Sequence, residues 1–268
     1  MLSQALRNGR SIYGTLIGST SPKWISAVKG VGLDFVFIDN EHTPIDQATL
    51  AWMCEAYTGI GTPAVVRIPS IDPNEARKAL DSGAAGVIAP YVETANQVRD
   101  LVGAVKLRPL KGEQLLEILA NPQSLQPELR NYLEEFNRGK VLIVNIESVP
   151  AMENLDEILS VEGLDAILIG PHDLSVSLDI PEQYAEPLFD QAVRSIITKA
   201  RARNIGAGIH FSGDIDLEIG WVKAGANLIL HNGDLNLFRR ALLQDLQKIR
   251  EALGEAEAKF EPDQRVII

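Results

Sequence analysis

The chain has 268 residues and a mass of 29.3 kDa, enough to bury a full core as one large domain or two small ones. Its composition, 46% hydrophobic and 23% charged, is that of an ordinary globular protein. The formal net charge of -11 and pI near 4.9 exclude nucleic acid and an anionic membrane surface as partners, since both need clustered Lys and Arg.

Eight short apolar, β-rich runs recur along the chain: "SIYGTLIGS" from Ser11, "DFVFID" from Asp34, "AVVRIP" from Ala64 and "GVIAPYV" from Gly86, then "VLIVNIE" from Val141, "DAILIG" from Asp165, "GAGIHF" from Gly206 and "NLILHN" from Asn227. Helical patterns separate them. "LAWMCEAY" presents Cys54, the single cysteine, on an apolar helix side, so a core thiol is expected and no disulfide can form within the chain. In "DPNEARKALDSG", Pro73 suits a helix start and Gly83 a stop. Apolar strands alternating with helices indicate a parallel sheet covered on its outer face, and eight units in this length favour a TIM (β/α)8 barrel. No G-x-G-x-x-G turn follows the first strand, which counts against a dinucleotide-binding sheet.

Residues 1–268 are therefore expected to form one barrel domain, with a helical insertion at 106–140 lying over the barrel mouth between strands four and five. The tail 254–268, charged and then apolar, is expected to be loose or to dock on a neighbouring subunit. The N-terminus lacks a signal-peptide layout and no apolar run reaches a membrane span, so a cytoplasmic protein is expected.

In such a barrel the site lies where the strands end and the βα loops converge. Asp39, Glu41 and His42 follow the second run, Arg67 ends the third, Glu147 the fifth, His172 and Asp173 follow the sixth, and His210 and His231 end the last two. Two carboxylates without cysteine ligands, Glu147 and Asp173, describe an oxygen-rich site for Mg2+, Mn2+ or Co2+ that a 2-oxo acid could chelate. Arg67 could hold the keto oxygen or carboxylate, and His42, an imidazole of ordinary pKa near neutrality, could move a hydroxyl proton.

Each residue has a structural alternative: Glu147 as a helix-start carboxylate, Asp173 as a turn cap, Arg67 as an ion-pair partner, His42 as a loop histidine. For His210 and His231 barrel-end hydrogen bonding is the better account. The strand runs hold no lysine besides Lys140, at the entry of the fifth, which argues against a Schiff-base mechanism. Asp214 and Asp234 stand in the loops "FSGDID" and "HNGDLN" where many barrels bind phosphate, so a phosphorylated substrate is disfavoured.

The blocks "LDFVFIDNEHTPID", "VVRIPSIDP", "LDSGAAGVIAPYVETANQ", "VNIESVPAMENLDEIL" and "VEGLDAILIGPHDLSVSL", in order between about Gly14 and Leu242, resemble the HpcH/HpaI aldolase family of metal-dependent pyruvate aldolases. The resemblance implies a barrel that cleaves a 4-hydroxy-2-oxo acid to pyruvate and an aldehyde through a pyruvate enolate, or condenses them, in a homo-oligomer that is usually a hexamer with an exchanged C-terminal helix. An oxaloacetate decarboxylase or CoA-ester lyase using the same enolate, and a non-catalytic 2-oxo acid binding or assembly protein, are the alternatives. It makes Glu147 and Asp173 metal ligands, Arg67 the group steadying the enolate, and His42 the acid/base, with Asp39 and Asp81 beside the imidazole. Backbone N–H groups around Gly170 to Asp173, a segment that includes Pro171 and His172, would hold the pyruvate carboxylate. Two places depart from the family pattern: "RPLKGEQLL" lacks its Arg-Gly, and His172 replaces a small residue.

Overall fold

The eight runs become eight parallel strands because nearly all of their residues on both faces are buried, the exposed Tyr13 of the first apart: β1 (Ile12–Leu16), β2 (Phe35–Asp39), β3 (Ala64–Arg67), β4 (Gly86–Ala89), β5 (Val141–Ile146), β6 (Ala166–Ile169), β7 (Gly206–Phe211) and β8 (Leu228–Gly233). In this computed structural model, which describes residues 1–255, they close in sequence order into one barrel, β8 pairing with β1. Alternate residues such as Phe35, Phe37, Val65, Ile143, Leu168, Leu228 and Leu230 fill the barrel. The intervening ones, among them Val36, Ile38, Val66, Val144 and Ile167, pack outward in the core shared with the helices.

The N-terminal face is plugged. Helix α1 (Leu2–Arg7) drives Leu6 into the barrel floor, so close that a Cβ on Gly206 would stand 2.7 Å from Leu6 Cδ2. Fully buried Asp165 pins the plug, accepting hydrogen bonds from Ser3 Oγ (2.6 Å), Arg7 Nε (3.1 Å), Lys106 Nζ (2.5 Å) and Leu142 N (2.9 Å).

Around the barrel run α2 (Lys23–Val28), α3 (Gln47–Gly59), α4 (Pro73–Asp81) and α5 (Ala95–Lys106). Pro73 and the Asp72 cap open α4, and Gly83 at φ +96° follows its end, as the sequence pattern anticipates. Cys54 is buried in α3, and burial pushes its thiol up to about 11, consistent with a packing role. The 106–140 segment contains α6 (Gly112–Ala120), a 3-10 turn at Pro122–Ser124 and α7 (Pro127–Phe136). It does not cover the mouth. Leaving α5 and entering β5, it begins and ends at the N-terminal face, where Asn137 Nδ2 binds the carbonyls of Lys106 and Arg108 and Leu115 and Leu119 pack against Gly103 of α5. Connections from helix to strand return to that face, so an insertion there lies away from the site.

Past β5 come α8 (Val149–Glu153), α9 (Leu155–Ile158), α10 (Pro171–Ser177), α11 (Pro187–Ala202), α12 (Ile215–Lys223) and α13 (Asp234–Leu253). Helix α13 leaves Leu235, Phe238, Leu242, Leu246, Ile249 and Leu253 exposed at three- and four-residue spacing, an apolar stripe with no cover among the described residues. Gly254 ends it at φ +66°, and the tail expected from 254 onward otherwise lies outside the described residues. Among the described residues no helix is long and apolar enough to cross a membrane.

Candidate active site

Pleat parity selects the side chains that crown the barrel interior. Continuing the inward rows upward from Phe37, Val65, Ile143, Gly208 and Leu230 leads to Asp39, Arg67, Asn145 with Glu147, His210 and Asn232. Apart from Asp39, which is fully buried beneath Arg67, these residues line an open cavity of about 1040 Å³ together with His42, the Gly170–Asp173 segment and one side of α13. His231, one residue before Asn232, points the other way: its Nδ1 lies 2.6 Å from Glu218 Oε2 on α12, outside the cavity lining.

Two clusters share the cavity. In the first, Arg67 grips Asp39 with Nε on Oδ1 (2.8 Å) and Nη2 on Oδ2 (2.6 Å), lies 3.2 Å from Glu41 Oε2, and stacks over the Phe37 ring at 5.5 Å. Burial alone would raise the Asp39 pKa, but the hydrogen bonds and charge of Arg67 hold it below the usual carboxylate range. Arg67 Nη2 also lies 2.7 Å from His42 Nδ1. Arginine has no acceptor, so Nδ1 accepts that hydrogen and a neutral His42 carries its own proton on Nε2. Asp39, Glu41 and His42 bring potential ligand atoms within 4.8 Å of one another, yet the guanidinium already supplies the cation between them. A metal there would have to displace Arg67.

The second cluster is Glu147 and Asp173. Glu147 is buried; Tyr91 N donates to Oε1 (2.7 Å) and Asn145 Nδ2 to Oε2 (2.9 Å). Tyr91 adopts φ +48°, a strained conformation for a non-glycine residue, where its amide meets the carboxylate. Gly170 lies so close that a Cβ there would come 2.0 Å from Glu147 Oε2. Burial and the neighbouring Asp173 charge push Glu147 up to about 7. The helix-start alternative fails for Glu147, because Ser148 Oγ caps α8 by accepting from Ala151 N. Asp173 caps nothing either: Gly170 is the N-cap of α10, and the Asp173 carboxylate has no hydrogen bond or ion pair among the described residues. Two carboxylates, one buried at electrostatic cost and one unpartnered, fit an oxygen-seeking divalent cation better than they fit each other.

The remaining expected residues fall in several places. His172 is half exposed at the mouth, with Nδ1 3.7 Å from Glu182 Oε1, and Pro171 forms part of the wall. Asp81 is not brought to His42 within one chain. It ends α4, which runs back to the N-terminal face, and pairs there with Arg108. Asp214 caps α12, while the buried Asp234 accepts from Gly18 N (3.1 Å) and Ser19 N (2.9 Å), so a carboxylate already fills the amide pair beside β1. Sequence reasoning missed Asn145, Tyr91 and the Glu182–Tyr184 wall; parity with Glu147 could have found Asn145, whereas the loop contacts carry no local signal.

A family pattern described as HpcH/HpaI aldolase/citrate lyase matches residues 13–241. A 2-keto-3-deoxy-L-rhamnonate aldolase of Salmonella gallinarum is 30% identical over 256 residues, covering 96% of this chain and 95% of the relative. Among solved structures, an HpcH/HpaI aldolase from Desulfitobacterium hafniense superposes with a TM-score of 0.80 at 26% identity, over 98% of this chain and 99% of the other. A citrate synthase superposes with a TM-score of 0.79 at 28% identity, over 95% and 100%.

Proposed function

The chain belongs to the HpcH/HpaI aldolase/citrate lyase family, a carbon–carbon lyase on a TIM barrel, and from that membership we propose that it cleaves a 4-hydroxy-2-oxo acid to pyruvate and an aldehyde, or runs the condensation, with a divalent metal held by Glu147 and Asp173. The observation that carries the reading is the carboxylate pair itself, Asp173 unpartnered and Glu147 buried beside it. Bound between them, Mg2+, Mn2+ or Co2+ would supply the Lewis acidity that polarises the 2-oxo group.

Arg67, fixed in the cavity by Asp39, offers its charge to the oxygen that becomes the enolate. The amides of the Gly170–Asp173 segment are assigned to the substrate carboxylate, with Pro171 and His172 forming the adjoining wall. In cleavage, His42 takes the proton of the C4 hydroxyl on Nε2 once its own hydrogen has moved to Nδ1, which lies 3.4 Å from Asp39 Oδ2. The O–H pair becomes the aldehyde carbonyl, the C3–C4 electron pair passes into the C2–C3 bond as the C2 carbonyl pair moves onto its oxygen, the aldehyde leaves, and the imidazolium gives a proton to C3 to form pyruvate. In condensation the order reverses: the imidazolium form of His42 gives its Nε2 proton to the aldehyde oxygen and is left neutral with its hydrogen on Nδ1, toward Asp39. We also assign the enzyme to the cytoplasm and to a homo-oligomer, a hexamer being the expected form, because the apolar stripe of α13 needs a covering surface.

A second reading, enolate chemistry with another acceptor or by decarboxylation, is favoured by the 28% identical citrate synthase. The deciding experiment follows the methyl signal of pyruvate in D2O by NMR, with metal-stripped protein and after Mg2+ or Mn2+ is restored. Metal-dependent loss of the signal is expected, and a panel of aldehydes and oxaloacetate then separates the two readings. No exchange with any metal would overturn both.

A further inference from the structure

His210 is the titratable member of the cavity crown that the proposed chemistry leaves unused. It stands on β7 with its ring edge-on to Phe37 (centroids 5.4 Å apart, planes at 78°), and Phe37 also faces Arg67. Its Nε2 lies 3.0 Å from the carbonyl oxygen of Asn232. A carbonyl can only accept, so Nε2 carries the ring proton and Nδ1 of the neutral ring is an acceptor. Neutrality is enforced: burial, with the Arg67 charge adding to it, pushes the imidazole down to about 4. Nδ1 has no hydrogen bond among the described residues, and it is not one of the sealed, unpartnered atoms, while the side chain lines the cavity. The fold thus presents a rigid, uncharged acceptor beside Arg67.

Chemistry narrows what can meet it. A carboxylate has no hydrogen to donate, and an ammonium group would be repelled by Arg67. An imidazole this weakly basic takes no proton from an alcohol, but it binds one. We propose that His210 is a specificity-determining residue whose Nδ1 accepts a hydrogen bond from a substrate hydroxyl, so that the enzyme selects hydroxylated over deoxygenated partners. The inference rests on the aldolase reading and adds the substrate class to it.

The test measures kcat/KM for metal-dependent condensation of pyruvate with glycolaldehyde and with acetaldehyde, and for hydroxypyruvate against pyruvate with one fixed aldehyde. For at least one pair the wild type should favour the hydroxylated member, on the order of tenfold, the scale of one hydrogen bond in a pocket. His210→Phe should collapse that ratio, and His210→Asn, whose amide oxygen can occupy the Nδ1 position, should restore part of it. A purely structural role would lower both members alike and leave the ratio standing, which would overturn the inference. So would a wild type indifferent to the hydroxyl in both pairs, a result that needs no variant to fold. A wild type that neither exchanges pyruvate protons nor condenses would overturn the aldolase reading and this inference with it.

Discussion

Arg67 and Asp39 form a two-pronged pair at the base of the cavity, Nε to Oδ1 at 2.8 Å and Nη2 to Oδ2 at 2.6 Å, with the carboxylate fully buried. Such a fork fixes the plane of the guanidinium as well as its charge. Because Arg67 in turn contacts His42 Nδ1, the pair holds the proposed enolate-steadying group and the proposed acid/base in one arrangement. Asp39→Asn should leave a folded barrel with kcat/KM lowered on the order of 100-fold, the usual cost of a small misplacement. Arg67→Lys should fail similarly despite keeping the charge. Steady-state kinetics with thermal melts checks both, and near-normal turnover in Arg67→Lys would show that the fork is dispensable.

Glu147 gives an outcome opposite in sign for stability and for function. Its pKa is raised in the folded state, so folding favours the protonated form, and the ionised form burdens the metal-free protein as pH rises toward 8. Glu147→Gln should therefore melt higher than the wild type in chelator at pH 8, by roughly 2–4 °C for each kcal/mol recovered. Asn145 can turn its unpartnered Oδ1 toward the new amide. The same variant, and Asp173→Asn, should lose Mn2+ binding by calorimetry and all metal-dependent pyruvate exchange. Retained Mn2+ affinity in both would move the metal elsewhere.

Gly170 is needed for space: it adopts an ordinary negative φ of -86°, but any Cβ would collide with Glu147 Oε2. Gly170→Ala should push the carboxylate out of place and lower Mn2+ affinity roughly 10–100-fold, the range seen when a ligand's support is removed. The barrel should still form, since the collision is with a side-chain tip. Unchanged affinity would show that Glu147 can withdraw without consequence.

The barrel was legible because strands buried on both faces leave continuous apolar runs, and the rule that sites lie where strands end gathered Glu147, Arg67 and His42 from distant parts of the chain. Pleat parity, applied further, separates His210 from His231 by sequence alone, since only His210 shares the inward row of Gly206 and Gly208. Topology could likewise have placed Asp81 and the 106–140 insertion at the N-terminal face, because every helix returns there before the next strand. The amide of Tyr91 on Glu147, the Asn232 carbonyl on His210 and the Glu182 wall were not legible. Each involves a non-glycine residue at positive φ, Tyr91, Asn232 and Glu182, a conformation that those residue types do not announce.

His210 makes the molecule acid-sensitive in a definite window. Its folded pKa of about 4 lies below the ordinary value of 6.5, so between these two the unfolded chain binds the proton that the folded chain refuses. More protons on the unfolded state mean that stability rises with pH; the contribution is complete above 6.5 and is lost as pH falls toward 4. From pH 7 to pH 5 the loss is on the order of 2 kcal/mol, at about 1.4 kcal/mol per unit. His210→Asn cannot titrate, so the difference in unfolding free energy between wild type and variant should shrink by about that amount over the same interval. Urea unfolding of both proteins at pH 5, 6 and 7 measures it, with the other titrating groups common to both. A difference independent of pH would mean that the imidazole is charged or solvated in the folded protein, and the neutral acceptor assigned to its Nδ1 would go with it.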